Sequence, residues 1–181
     1  MPTPTLLSFL FILFQGQPEP VNSNVFTDSR DGNTYQYVQL GELDWFVENL
    51  RFQTTNSVDV SGEGQEKCGL FYPVEEAATV CPDSWRLPTE KEVKALIKNE
   101  KRGRIQLTDT LQIQLCGRID YGTLAKTGAQ NTFWIDAKLE DGYITHWHTF
   151  GTKNELHRHN VTVAQRKFPV RCVRAHTMPS N

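Results

Sequence analysis

Four cysteines, Cys68, Cys81, Cys116 and Cys172, constrain this chain more than any other feature. Their intervals of 13, 35 and 56 residues contain no close pair such as CxxC, so the spacing does not fit a four-cysteine zinc site. In an oxidising compartment the same residues form two disulfides, with three connectivities open. Chain entropy does not choose among them. It gives about 4–5 kcal/mol for closing Cys81 to Cys172 and about 3 kcal/mol for the 13-residue loop. The compartment decides between thiols and bridges, and the N-terminus bears on the compartment.

Leu6 to Phe14 reads LLSFLFILF, nine residues interrupted only by Ser8. As a helix this run spans roughly 14 Å, about half a bilayer core. It is too short to cross a membrane and has the length of a signal-peptide core. Gly16 is small enough to precede a cleavage point, and Gln17-Pro18-Glu19-Pro20 reads as an extended linker. Residues 1–16 are therefore expected to be a signal peptide and 17–24 a linker. Two features depart from that pattern: no Lys or Arg precedes Arg30, and Phe14 is bulky for its place. A buried N-terminal strand or helix is the alternative reading. The absence of a nearby cysteine disfavours lipid attachment. The expected location is secreted or extracellular, cell-surface association being open, with no membrane span.

The 181 residues carry 19 Lys and Arg against 21 Asp and Glu, a formal charge of −2. Without a run of basic residues, this balance excludes a nucleic-acid binder that works through a basic field. Residues 25–175 suffice for one domain, and 176–181 form a tail.

Val25 to Thr27 and Thr34 to Leu40 read as a hairpin turned at Asp31-Gly32. Gly41-Glu42 turns again into Asp44-Trp45-Phe46-Val47, and Thr54 to Lys67 is a polar loop by composition. Val74 to Cys81 suits a short helix. Thr89-Glu90-Lys91-Glu92 is a capping box, followed by Val93, Leu96 and Ile97 as one apolar stripe to about Lys101. The Lys and Glu of that helix read as a solvated face. Leu111 to Leu115 alternates like a half-buried strand. Phe133 to Ile135, Tyr143 to Phe150, Leu156 to Val163 and Phe168 to Arg174 complete a strand-rich second half. A hairpin, two helices and then strands predict an α+β fold, mostly antiparallel. Trp45, Trp85 and Trp134 read as core.

Thr27 to Leu50 (TDSRDGNTYQYVQLGELDWFVENL), Cys81 to Val93 (CPDSWRLPTEKEV), Phe133 to Ala137 (FWIDA) and Lys167 to Arg174 (KFPVRCVR) together resemble the FISUMP, or Fibrobacter succinogenes major paralogous, domain. The matches keep the family's order and span nearly everything from Val25 to Arg174. The resemblance implies a variant of the C-type-lectin-like fold in an exported bacterial protein. It implies no known reaction; cell-surface adhesion and glycan contact are the usual suggestions. It also implies a pairing, Cys81 with Cys172 and hence Cys68 with Cys116. A calcium-dependent lectin site would need EPN or QPD in a loop and WND on the next strand, and neither occurs, so calcium is not expected. Formylglycine-generating enzymes share a related fold but are larger and depend on reactive cysteines.

No GxSxG, HExxH, P-loop or dinucleotide fingerprint occurs, and no enzyme is expected. Glu48 is a candidate buried acid, but a hydrogen-bonded structural role is the favoured reading. Asn160-Val161-Thr162 matches a glycosylation sequon, which the bacterial resemblance makes incidental.

His146-Trp147-His148 and His157-Arg158-His159 lie on adjacent strand-like segments around Gly151-Thr152-Lys153-Asn154. A turn centred between Thr152 and Lys153 sets His146 opposite His159, His148 opposite His157 and Trp147 opposite Arg158. Alternation then separates two faces. One carries His146, His148, His157 and His159, a set able to hold Zn²⁺ or Cu²⁺, or else a band of structural histidines between core and solvent. The other carries Trp147 with Tyr143, Arg158 and Asn160 beside it, a stacking surface for a sugar or else a structural cation–π pair, packing being the commoner role of a strand aromatic. No cofactor is required.

The reading that follows is an exported, disulfide-stapled, non-catalytic binding or adhesion protein that contacts polysaccharide or glycoprotein. The alternative is a structural or adhesin-type subunit that binds another protein.

Overall fold

Gly32 adopts φ +77°, a left-handed conformation open to glycine at little cost, and helps reverse β1 (Asn24–Thr27) into β2 (Thr34–Leu40). The computed structural model describes residues 24–62, 65, 67–136, 143–150, 153–160 and 165–177, without the side chains of 143, 144, 159 and 160. The expected signal peptide, the linker up to residue 23 and the tail from 178 lie outside the described residues.

In chain order the elements continue as β3 (Leu43–Phe46), β4 (Val58–Asp59), β5 (Leu70–Tyr72), α1 (Val74–Ala77), α2 (Glu90–Lys101) and α3 (Leu107–Thr110). Then follow β6 (Arg118–Asp120), β7 (Thr123–Ala125), β8 (Asn131–Trp134), β9 (Tyr143–Phe150), β10 (Lys153–Asn160), β11 (Arg166–Pro169) and β12 (Val173–Ala175). They form three sheets, ordered β1-β2-β3-β12, β10-β9-β8 and β4-β5-β11-β6-β7. Each ladder between these strands is antiparallel, so the class is α+β as expected.

Among the described residues three helices are present where two were expected. The additional one, α3, overturns the strand expected at Leu111 to Leu115. Leu111 caps α3 and Gln112 takes φ +46°, which no ladder accommodates. The burial alternation survives in part, with Leu111 and Ile113 inside and Gln112 outside. A period of two therefore reported which side faces the core without reporting a strand. The loop after Thr54 likewise contains β4, because Val58 pairs with Phe71.

α2 forms where the capping box places it. Thr89 Oγ1 accepts from the Glu92 backbone, and the Glu92 carboxylate accepts from the Thr89 N–H at 2.7 Å. Val93, Leu96 and Ile97 are buried against Trp45, Phe133 and Trp147. Each such side chain contributes about 1.5–3 kcal/mol on burial. A second apolar cluster gathers Phe46, Tyr72, Trp85, Trp134 and Phe168. Trp45, Trp85 and Trp134 are core, as expected.

Cys81 is bonded to Cys172 and Cys68 to Cys116, the pairing implied by the resemblance. Arg171, beside the first bridge, is fully buried. Its Nε donates to Asn49 Oδ1 at 2.8 Å, and its Nη1 donates to the carbonyls of Val47 and Leu111. Burial pushes the guanidinium down to about 9. Glu48 is only partly buried and pairs with Arg51 at 2.8 Å, the hydrogen-bonded structural role expected of it in place of a buried acid.

Candidate functional site

The β9–β10 hairpin carries the candidate residues, and its register differs from the expected one. Phe150 pairs with Lys153, so His157 faces His146, Glu155 faces His148, and Leu156 faces Trp147. The shift is two residues, which keeps each side chain on its expected face while changing each cross-strand partner. Its physical cause is Asn154. The sequence reading put this residue in the turn, but its side chain is required inside, where it accepts from Trp147 Nε1 at 3.1 Å.

This arrangement removes the expected sugar-stacking surface. Trp147 is fully buried, tilted against Phe133 at 4.9 Å and edge-on to Trp45 at 6.3 Å. Its face of the sheet is covered by α2. Arg158 is exposed and pairs with Thr145, not Trp147, so the expected cation–π partner is elsewhere along the strand. Tyr143 and Asn160 pair with each other at the open end of the hairpin, and their side chains lie outside what is described.

On the opposite face His146 is fully buried, edge-on to Phe168 at 4.9 Å and to Trp134 at 5.2 Å. The His148 and His157 rings lie 4.6 Å apart. His148 Nδ1 is 3.3 Å from Thr132 Oγ1, and His157 Nε2 is 3.0 Å from Glu155 Oε2. Lys153, and after it His157, hold the Glu155 carboxyl below its usual range. His159 shares the face by register, with its side chain undescribed. Among the described residues no three His, Cys, Asp or Glu side chains converge as a metal-holding group.

Among the described residues two concavities flank the hairpin. The larger, about 670 Å³, is an open groove between α2 and β10. Its helix side presents Lys94, Lys98, Lys101 and Arg102, four cations at helical spacing on one side of α2. Ile97 and Leu156 contribute its apolar lining. Four consecutive residues, 154–157, line the other wall, so β10 turns its backbone edge toward the groove. Lys94 is paired with Glu90. Lys98, Lys101 and Arg102 make no ion pair among the described residues. The lysines that read as a solvated face thus line a groove, a role set by β10 and invisible in the helix's own sequence.

The smaller concavity, about 230 Å³, lies on the histidine side. His146, His148 and His157 meet Gln130, Arg118 of β6 and Arg166 of β11 there. Sequence reasoning missed Gln130, Arg118 and Arg166, because no spacing connects residues so far apart in the chain.

Comparison of the chain with family models, curated proteins and solved structures finds no match.

Proposed function

We propose that this chain is an exported, non-catalytic recognition module of the FISUMP type, with a C-type-lectin-like fold, that holds acidic polysaccharide or an acidic glycan of a glycoprotein between α2 and β10. The observation that carries this reading is the groove itself. Lys98, Lys101 and Arg102, which make no ion pair among the described residues, stand over an apolar lining of Ile97 and Leu156. A polyuronate or sulfated chain offers repeated negative charge to the cations and ring faces to the apolar lining. An open groove suits a polymer that enters and leaves along its length. Two disulfides support an oxidising location, and no described helix is long and apolar enough to cross a membrane. The pairing of Cys81 with Cys172 supports the family resemblance.

Polygalacturonate binding tests the proposal. It should be measurable by calorimetry, weaken with added salt, and fall at least tenfold in a Lys98→Glu, Arg102→Glu variant. Equal binding of a neutral glucan, or no change in that variant, would reject it.

A second reading rests on β10, which ends its sheet among the described strands. An edge strand can add an extended peptide through its backbone groups. Capture of a protein partner that soluble acidic glycans do not displace would favour this reading.

A further inference from the structure

The histidine-side cavity is built on the hairpin face opposite Trp147 and meets the groove at His157, which lines both. We infer that it is a binding site for a small organic oxyanion, a carboxylate or sulfate carried on a body of about monosaccharide size. Its two arginines share one carboxylate. Arg118 Nε donates to Asp120 at 2.6 Å, and Arg166 Nε lies 3.3 Å from the same carboxylate. Asp120 therefore serves two guanidiniums, an excess of positive charge on that wall, while the Glu155 carboxylate sits 3.0 Å from His157 Nε2. Both pairings use Nε, and among the described residues the terminal nitrogens of the two guanidiniums make no hydrogen bond or ion pair, which leaves their planar forks able to meet an oxyanion. The Arg118 and Arg166 side chains are only 19% and 27% exposed, which strengthens their field at the cavity.

The remaining walls supply oriented polar groups and a ring. Gln130 Nε2 donates to Thr132 Oγ1 at 3.1 Å, and that hydroxyl in turn meets His148 Nδ1. Phe150 is 37% exposed and stacks on His148 with centroids 5.9 Å apart, so it offers an apolar face at the mouth. The 230 Å³ volume falls below the roughly 300 Å³ at which drug-sized clefts begin, which limits the ligand to a small molecule or a single end residue of a chain. Convergent polar groups around a partly apolar, partly enclosed space are the usual features of such a site.

The test uses the oxidised, full-length chain with glucuronate, sulfate and glucose as probes. Glucuronate and sulfate should bind at one site, glucose should not, and Arg166→Gln should weaken both anions about tenfold, as expected for loss of one charged hydrogen-bonding partner. The Lys98→Glu, Arg102→Glu variant should bind glucuronate as the wild type does, which separates this site from the proposed groove. Imidazole NMR of the wild type needs no variant to fold. Glucuronate should shift the His146, His148 and His157 resonances and leave His176 unmoved. A tetramer of galacturonate that competes with glucuronate would identify the source as a chain end, and failure to compete would identify a free small molecule. No binding at millimolar anion, or anion binding that leaves those three resonances in place, would overturn the inference. So would stoichiometric Zn²⁺ binding at the same imidazoles that sulfate does not oppose.

Discussion

Trp147 donates its indole N–H to the side-chain oxygen of Asn154 at 3.1 Å, joining the interior of β9 to the second residue of β10. The Asn154 amide nitrogen donates in turn to both Glu100 oxygens, at 3.1 and 2.9 Å. Glu100 also accepts from the Leu107 backbone at 3.0 Å, at the start of α3. One buried asparagine thus fastens the hairpin to the end of α2 and, through Glu100, to the next helix. It fixes the register that positions both concavities.

Asn154→Ala should lower stability by about 1–3 kcal/mol, since it leaves the buried indole N–H without an acceptor. Asn154→Asp should cost more, because it sets a carboxylate against Glu100. Urea unfolding followed by tryptophan fluorescence measures both. Equal midpoints for wild type and Asn154→Ala would refute the role given to this bond.

The two disulfides should contribute unequally. Cys81 and Cys172 are separated by 91 residues, Cys68 and Cys116 by 48. Loop-closure entropy assigns about 4.6 kcal/mol to the first and about 4 kcal/mol to the second. Replacing Cys81 and Cys172 together by alanine should therefore destabilise at least as much as replacing Cys68 and Cys116. The native chain should show no reactive thiol, since none of the four cysteines is free. Titration of native and urea-unfolded protein with a thiol reagent checks this point, and denaturation of the two double variants checks the ranking.

What could be read from the sequence follows the range of each signal. Glu90 to Lys101 was legible because a helix cap and an apolar stripe are local, and the Asp31-Gly32 hairpin was legible for the same reason. The alternation of His146, Trp147 and His148 assigned faces correctly, since a shift of two preserves parity. It misassigned partners, because register depended on where Asn154 goes and that depended on Trp147 and Glu100. Trp147 read as a surface residue because its neighbours Thr145, Arg158 and Asn160 are polar. Helix α2, which covers it, arrives from fifty residues earlier. Arg118 and Arg166 share a cavity through the sheet pairing of β11 with β6, Gln130 joins them through the Gly117 N–H that donates to its carbonyl, and nothing in their spacing announces it.

Stability should fall in acid through Asp28, among other carboxylates. Asp28 is fully buried, and Arg30 donates to it from its side chain at 2.7–3.2 Å. The Arg30 guanidinium lies 3.8 Å from the Phe52 ring centroid, which holds it in place. Hydrogen bonding from Arg30 lowers the Asp28 pKa below its ordinary value, burial opposing it. A carboxyl more acidic in the folded state stabilises fully above its unfolded pKa of about 4 and loses that contribution as pH falls through the folded value. Urea midpoints should therefore decline below about pH 4, and Asp28→Asn should flatten that decline while lowering the midpoint at pH 7. An unchanged acid slope in the variant would assign the decline to other groups.

Arg171 should be the most sensitive single position outside the apolar core. Its side chain is the common donor to Asn49, Val47 and Leu111, and it lies 5.2 Å from the Phe133 ring centroid. Asn49 extends the set by donating to the Cys68 carbonyl at 2.8 Å, beside the second disulfide. Methionine at this position would fill much of the volume but leave three buried acceptors without a donor, at a cost of about 3–5 kcal/mol. Lysine would keep the charge and lose the fork, and a single ammonium does not reproduce the directions of Nε and Nη1. Arg171→Lys should therefore fall between wild type and Arg171→Met in urea midpoint. If Arg171→Met proved as stable as the wild type, the buried guanidinium would be a tolerated charge and not the tie among the β3–β4 connection, the end of α3 and the β11–β12 connection.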